Sequence, residues 1–405
     1  MPGQTLFDRI WKQHQIRELE DGSSLILIDR IFLHERTGAV ALESLREAGR
    51  TVRNPSSVFC TMDHIVDTVP GRSDDTRMPS GGEFIRATRK AAREAGIRLF
   101  DLDDPQQGIV HVVSPELGIV LPGLTLVCPD SHTCTQGALG ALAWGIGSSD
   151  AEHALATRTL RLNRPKTMRV RFEGALPAGV SAKDMILHLI GRHGAGGGAG
   201  HVVEFAGSAV AALDIEARMT LCNMAVEFSA FTGIIAPDEK TIDYLRGREH
   251  APQGRLWDQA VAAWRELRSD ESAEFDAEIS VDCRELSATV TWGTSPEHAT
   301  TVAGLVPDPA QESDVNRRGA MQRALAYQDL TPGTPMRSLP IDAVFIGSCT
   351  NSRLSDLRAA AALLRGRQVA KGVRAICVPG SSTVKRAAEA EGLDAIFRTA
   401  GFEWR

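Results

Sequence analysis

Nowhere in this sequence do two cysteines stand as Cys-x-x-Cys, two histidines as His-x-x-x-His, or a serine as Gly-x-Ser-x-Gly. These absences argue against a compact zinc core and against the nucleophile elbow of an α/β-hydrolase. No apolar run approaches the roughly 18–20 residues that a spanning helix needs. Positive charge is not in excess: the net charge is −6, which gives no reason to expect nucleic acid or an anionic membrane as partner. The opening residues Met1-Pro2-Gly3-Gln4-Thr5 lack the charged lead-in and apolar core of a signal peptide, so a cytoplasmic protein is expected. The seven cysteines are odd in number and scattered (60, 128, 134, 222, 283, 349 and 377), which argues for reduced thiols rather than a disulfide framework.

What is present is a soluble, globular composition, 43% hydrophobic and 24% charged, on a 405-residue chain long enough for two or three domains. Leu6, Phe7, Ile10 and Trp11 recur at helical spacing, and residues 83–95 form a second strong helical pattern closed by Gly96. Apolar runs at 25–29, 58–64, 97–102, 108–113 and 125–129 read as strands, and 39–48, 137–146 and 151–160 as helices. Strand and helix alternate, which predicts an α/β fold with mostly parallel sheets. Ser181 and Asp184 resemble a capping box opening a helix, and 256–267 is a further amphipathic helix. Leu221, Met224, Ala225 and Phe228 predict a helix that carries Asn223 and Glu227 one turn apart. The glycine-rich stretch 191–200 reads as a flexible connection or as backbone that approaches a ligand closely. Residues 303–318 read as a linker or long loop. From 341 onward a βαβα unit is expected, with strands at 343–346, 373–378 and 394–397 and helices at 356–365 and 383–391.

Three histidines end or interrupt apolar strands: His64 after Asp63, His111, and His132 after Asp130-Ser131. Strand ends in an α/β sheet converge on one crevice, and an Asp beside a His stabilises the protonated imidazole, which suits a general acid. Cys349 stands at another strand end, Val344-Phe345-Ile346-Gly347-Ser348-Cys349, as a packed small residue, a nucleophile or a metal ligand. A zinc site built from these histidines and a serine hydrolase are the alternatives the residues alone leave open.

The motifs Thr61-Met62-Asp63-His64, Gly108-Ile109-Val110-His111, Asp130-Ser131-His132-Thr133, Leu221-Cys222-Asn223-Met224-Ala225-Val226-Glu227 and Gly347-Ser348-Cys349-Thr350-Asn351-Ser352 together resemble the aconitase superfamily, most closely its isopropylmalate dehydratase large-subunit branch. Gly200-His201-Val202-Val203-Glu204-Phe205, Val290-Thr291-Trp292-Gly293-Thr294 and the final Ala400-Gly401-Phe402-Glu403-Trp404-Arg405 are similar too, so the resemblance covers the whole chain in order. It implies an aconitase-like three-domain α/β/α architecture, divided here at 1–165, 166–290 and 291–405. It implies a hydro-lyase that removes water from a small hydroxy-dicarboxylic acid and adds it back. The expected substrate is 2-isopropylmalate, in leucine biosynthesis, with homoaconitate or a methylmalate as the alternative. Asp63 and His64 match the pair that assists hydroxyl departure. His111, Asp130, Ser131, His132, Asn223 and Glu227 match residues around cluster and substrate. Cys349 matches the first of three cysteines that hold a 4Fe–4S cluster, and Asn351 is grouped with it.

Two departures from the family pattern shape the expectations. The Gly-Cys-x-x-Cys segment that carries the other two cluster cysteines in the family does not follow Arg405, so the third domain is expected to be incomplete at its C-terminus. One thiolate cannot hold a cubane cluster, and the 405 residues as given are expected to be inactive alone. Cys60 and Cys134, near Asp63 and His132 in sequence, read as small buried residues, with ligands of an alternative cluster site as the other reading. The swivelling domain of the family, which carries the catalytic base, is also absent, which implies a separate small subunit as partner. The competing class is a cluster-free subunit that survives as a binding or scaffold protein.

Overall fold

The computed structural model describes residues 3–405. Its centre is a five-stranded, wholly parallel sheet in the spatial order Arg98–Phe100, Val58–Thr61, Arg30–His34, Thr125–Cys128, Leu142–Gly145. The chain leaves Arg30–His34 toward one edge and later returns on its other side through Thr125–Cys128. The strand order therefore reverses between these two strands, and the crevice beyond their carboxyl ends is where such sheets take ligands. A second parallel sheet orders Thr232–Ile234, His201–Ala206, Lys166–Glu173 and Ala277–Asp282. A third, also parallel, orders Ala343–Ile346, Arg374–Cys377 and Phe402–Trp404. Two further sheets among the described residues, the three-stranded Gln15–Glu18, Ser24–Leu27 and Thr159–Leu162 and the two-stranded Thr289–Thr291 and Ala299–Thr301, are antiparallel. The expectation of an α/β fold with mostly parallel sheets holds.

One continuous apolar core joins the first two large sheets, taking in Leu126, Leu142, Met185, Ile190, Val202 and Phe205. The third sheet has its own core of Leu357, Ala375, Val384, Phe397 and Trp404, entered by Val112 from the first part of the chain. Helix Leu6–His14 buries Leu6, Phe7, Ile10 and Trp11 as its spacing requires, behind a Thr5–Asp8 capping box. The capping box of Ser181 and Asp184 also forms, and it opens helix Ala182–His193. No helix among the described residues is long and apolar enough to cross a membrane.

Several local expectations are overturned. Residues 108–113 are not a strand: Val110–Glu116 is a helix, with residues 110–115 all buried. A short apolar run buried on every side has no periodicity to tell helix from strand. Its first turn is anchored from outside, by Asp63 Oδ2 accepting the Val110 N–H at 2.9 Å. Residues 137–146 are not a helix but the end of a 3₁₀ segment, Ser131–Leu139, followed by the edge strand Leu142–Gly145. Gly140, at φ +79°, ends the coil, and a Cβ on Gly137 would lie 1.9 Å from the Gly233 carbonyl. Residues 394–397 are helical, within Leu393–Thr399, and Leu393 and Phe397 are buried at i, i+4; the strand follows at Phe402–Trp404. Helix Ile215–Asn223 stops at Asn223, and Glu227 sits in a separate 3₁₀ turn, Val226–Phe228. Residues 303–318 are only partly loop, because helix Val315–Gln328 begins within them. The glycine-rich stretch closes on the protein itself: a Cβ on Gly197 would stand 2.2 Å from the Phe228 ring.

Candidate functional site

The carboxyl ends of the three middle strands supply most of the site. Arg30–His34 delivers His34 and Glu35, Val58–Thr61 delivers Asp63 and His64, and Thr125–Cys128 delivers Asp130, Ser131 and His132. An open cleft of about 550 Å³ is lined by His34, Asp63, His64, Asp130, Ser131, His132 and Cys349, among others.

Asp130 is the hub. His64 Nε2 lies 3.1 Å from its Oδ2, His111 Nε2 3.1 Å from its Oδ1, and His132 Nδ1 3.8 Å from Oδ1. The His132 backbone N–H donates to Asp130 Oδ1 at 2.8 Å. Burial would raise the Asp130 carboxyl. The electrostatic attraction of His111, with the close contacts of His111 and His64, outweighs it and holds the group far below the usual carboxylate range. His64 also meets Asp63, with Nδ1 2.7 Å from Oδ1. Burial pulls the His64 pKa down, but the hydrogen bonds with Asp130 and Asp63 overcome it and set it at about 11. His64 is thus a cation at neutral pH, clamped between two carboxylates. His111 is fully buried behind Asp130, and neither ring nitrogen has a partner in hydrogen-bond alignment. At the opposite end His132 Nε2 is 3.3 Å from Glu227 Oε1, and Ser131 Oγ is 3.3 Å from His132 Nδ1.

Cys349 reaches the cleft from the third sheet on a strained loop. Ser348 and Ser352, on either side, have φ of 100° and 105°, conformations that cost a non-glycine residue about 1–3 kcal/mol. The loop is held by polar contacts. The buried Arg353 guanidinium donates to the carbonyls of Thr350 (2.7 Å) and Cys349 (3.1 Å). Asn223 donates to Thr135 Oγ1 at 2.8 Å, stands 3.5 Å from Cys349 Sγ, and accepts from Thr350 Oγ1 at 2.8 Å. Asn351 donates to Thr220 and Asp356, and its buried Oδ1 has no partner. Asn223 and Asn351 therefore brace the cysteine loop and do not line the cleft. Burial pushes the Cys349 thiol upward, partly offset by Asn223.

A cubane cluster needs three or four protein ligands, usually thiolates, and the cleft presents one thiol. Cys60 is wholly buried in the main core, and Cys134 is buried behind the loop with its thiol 3.4 Å from the Asn223 carbonyl oxygen. Among the described residues the donor set fits one corner of such a cluster and does not complete it. An adjoining cleft of about 450 Å³ shares Asp63 and Ile109 and carries the cationic side chains Arg72, Lys385 and Arg405.

His34 and Glu35 were not anticipated from the sequence. The signal was there in Ile31-Phe32-Leu33 running into His34-Glu35, but the preceding apolar run 25–29 drew the strand assignment. In the structure Ser24–Leu27 belongs to an antiparallel sheet, with only alternate residues buried.

The sequence matches the family described as Aconitase family (aconitate hydratase) over residues 8–405. It is 55% identical over 403 residues to a protein of Bradyrhizobium diazoefficiens named 3-isopropylmalate dehydratase large subunit 1, an alignment that covers 100% of this chain and 84% of that relative.

Proposed function

The chain belongs to the aconitase family, and on that basis we propose that it is a hydro-lyase subunit interconverting 2- and 3-isopropylmalate through isopropylmaleate, in leucine biosynthesis. The observation that carries the reading is the His64 ring held between Asp63 and Asp130, with Cys349 lining the same open cleft. Expelling hydroxide requires a proton at the departing oxygen. A His64 cation of pKa about 11 keeps its proton in water at neutral pH. It can yield that proton to a departing hydroxide, because the conjugate acid, water, has a pKa of about 15.7. Asp63 and Asp130 fix the ring, and Asp130 also gathers His111 and His132 around the same point. The cationic rim of Arg72, Lys385 and Arg405 suits a substrate with two carboxylates.

Membership of the family implies a 4Fe–4S cluster, which supplies Lewis-acid polarisation of the leaving hydroxyl when bound. Cys349 is the ligand we assign to it from this chain, on a loop braced by Asn223 and Asn351. The remaining proposals are a small subunit that carries the catalytic base, a reducing cytoplasm suited to seven free thiols, and a division of the chain near 165 and 290.

The test uses the protein isolated anaerobically from its own cells together with its small subunit. With a full set of cluster ligands, of which Cys349 is one, conversion of 2-isopropylmalate to isopropylmaleate, read by ultraviolet absorbance, is expected, whereas the 405 residues as given are expected to stay inactive. In the active protein Asp63→Asn or His64→Gln should lower kcat about 10²–10⁴-fold. Turnover of homoaconitate or a methylmalate in its place would reassign the substrate. A second reading, a cluster-free binding subunit, draws on the single cleft-facing thiol. It would prevail if the isolated protein held its partner but neither iron and sulfide nor activity.

A further inference from the structure

Glu35 follows the last residue of the central strand Arg30–His34 and has no solvent exposure. No lysine or arginine pairs with it among the described residues. A buried carboxylate without a cation costs several kcal/mol unless hydrogen bonds replace its water. Here they do. Glu35 Oε2 accepts the Asp63 backbone N–H at 2.9 Å, and Oε1 accepts the His64 N–H at 2.7 Å and the N–H of Ile65. These three amides belong to no helix and no sheet ladder. Two of them lie in or next to the wall of the cleft, and Ile65 is buried, so without Glu35 they would have no other acceptor in the protein.

The same turn does the geometric work of the site. Asp63 must aim Oδ1 at its own neighbour's Nδ1 while Oδ2 takes the Val110 N–H, and His64 must reach across to Asp130. Adjacent residues in a loop do not hold such an arrangement unaided. Glu35 is the one side chain that grips all three backbone amides of the turn.

One ligand atom from each of His34, Glu35, Asp63 and His64 lies within 4.8 Å of the others, close enough to suggest a metal site. Most of their ligand atoms are already committed; His34 Nδ1 is the exception, buried and without a partner. Both Glu35 oxygens take amides, and both Asp63 oxygens have partners. The cluster is a hydrogen-bond network around the Glu35 and Asp63 carboxylates, with one free imidazole nitrogen, and not a vacant set of ligands.

We propose that Glu35 is a positioning residue: its carboxylate, by holding the 63–65 backbone, sets the contact of His64 with both Asp63 and Asp130 on which proton delivery depends. The inference rests on the acid–base role proposed above for Asp63 and His64.

The test compares wild type, Glu35→Gln and Glu35→Asp as the full protein with its small subunit. In histidine-labelled protein the His64 ring signal is identified by its loss in His64→Gln, and its titration is followed by NMR. Glu35→Gln, which sets an amide NH₂ against N–H donors, should lower the His64 midpoint by about one pH unit or more, as the ring loses its simultaneous carboxylate contacts. It should lower kcat on the order of 10²-fold with little change in KM. Glu35→Asp, which keeps the charge one methylene short, should fall between. A folded Glu35→Gln protein with wild-type His64 titration and kcat overturns the proposal. Should neither variant fold, amide exchange in wild type decides: the 63–65 amides are expected to exchange as slowly as those of Val58–Thr61, and fast local exchange overturns it. If Asp63→Asn and His64→Gln leave turnover intact while Glu35→Gln still shifts the His64 titration, the acid–base reading fails and the positioning effect stands.

Discussion

The imidazole rings of His34 and His64 stack with centroids 3.8 Å apart and planes inclined by 16°. They carry different charge. Burial lowers the His34 pKa and keeps that ring neutral, whereas the Asp63 and Asp130 contacts keep His64 protonated. A neutral π-face thus covers a cation, and His34 is fixed behind it by Nε2, 3.0 Å from the Pro129 carbonyl. His34→Ala should destabilise the protein by roughly 2 kcal/mol, from lost stacking and the cavity left behind. His34→Phe, which keeps a ring face, should lose less. Urea unfolding of the two variants checks the order.

The pH dependence of stability follows from two opposite shifts. The folded pKa of His64, about 11, lies above its ordinary 6.5, so its stabilisation is complete below pH 6.5 and is lost as pH rises toward 11. Asp130 is held below its ordinary 3.8, so its stabilisation is complete above that value and is lost as pH falls below it. Thermal melts of wild type and His64→Gln should differ most near pH 5–6 and converge only as the pH reaches about 11.

Glu116 marks a second titration, at the joint between the first sheet and the third. It ends the helix Val110–Glu116 that carries His111 and accepts the Ser381 hydroxyl at 2.8 Å. Burial pushes its pKa up to about 7 from 4.5, so stability is lost as pH rises through that interval. Glu116→Gln should match wild type at pH 4 and exceed it at pH 8 by on the order of 2 kcal/mol. Denaturant midpoints at the two pH values measure this.

The glycine-rich stretch makes its own prediction. Gly197 and Gly198 admit the Phe228 ring, and added Cβ atoms would approach it to 2.2 and 2.7 Å. Gly197→Ala should cost about 1–3 kcal/mol by overpacking. Because Phe228 follows Glu227 directly, the His132–Glu227 contact should loosen as well. Calorimetry gives the first effect and the His132 ring signal the second.

Legible in the sequence were the α/β class, the helices with strong 3.6-residue spacing such as Leu6–His14, the Ser181 capping box, and the positions of Asp63, His64, Asp130, Ser131, His132 and Cys349 after apolar strands. These are local properties: periodicity, caps, and a polar pair at the end of an apolar run. The rest depends on how distant elements pack together. The buried helix around His111 has no polar face to betray its period. Asn223 and Asn351 turned out to brace the Cys349 loop from behind, which depends on how helix Ile215–Asn223 docks on a loop more than a hundred residues away. Glu35 acts through backbone amides some thirty residues on, and a carboxylate that binds amides leaves no motif in the sequence it holds.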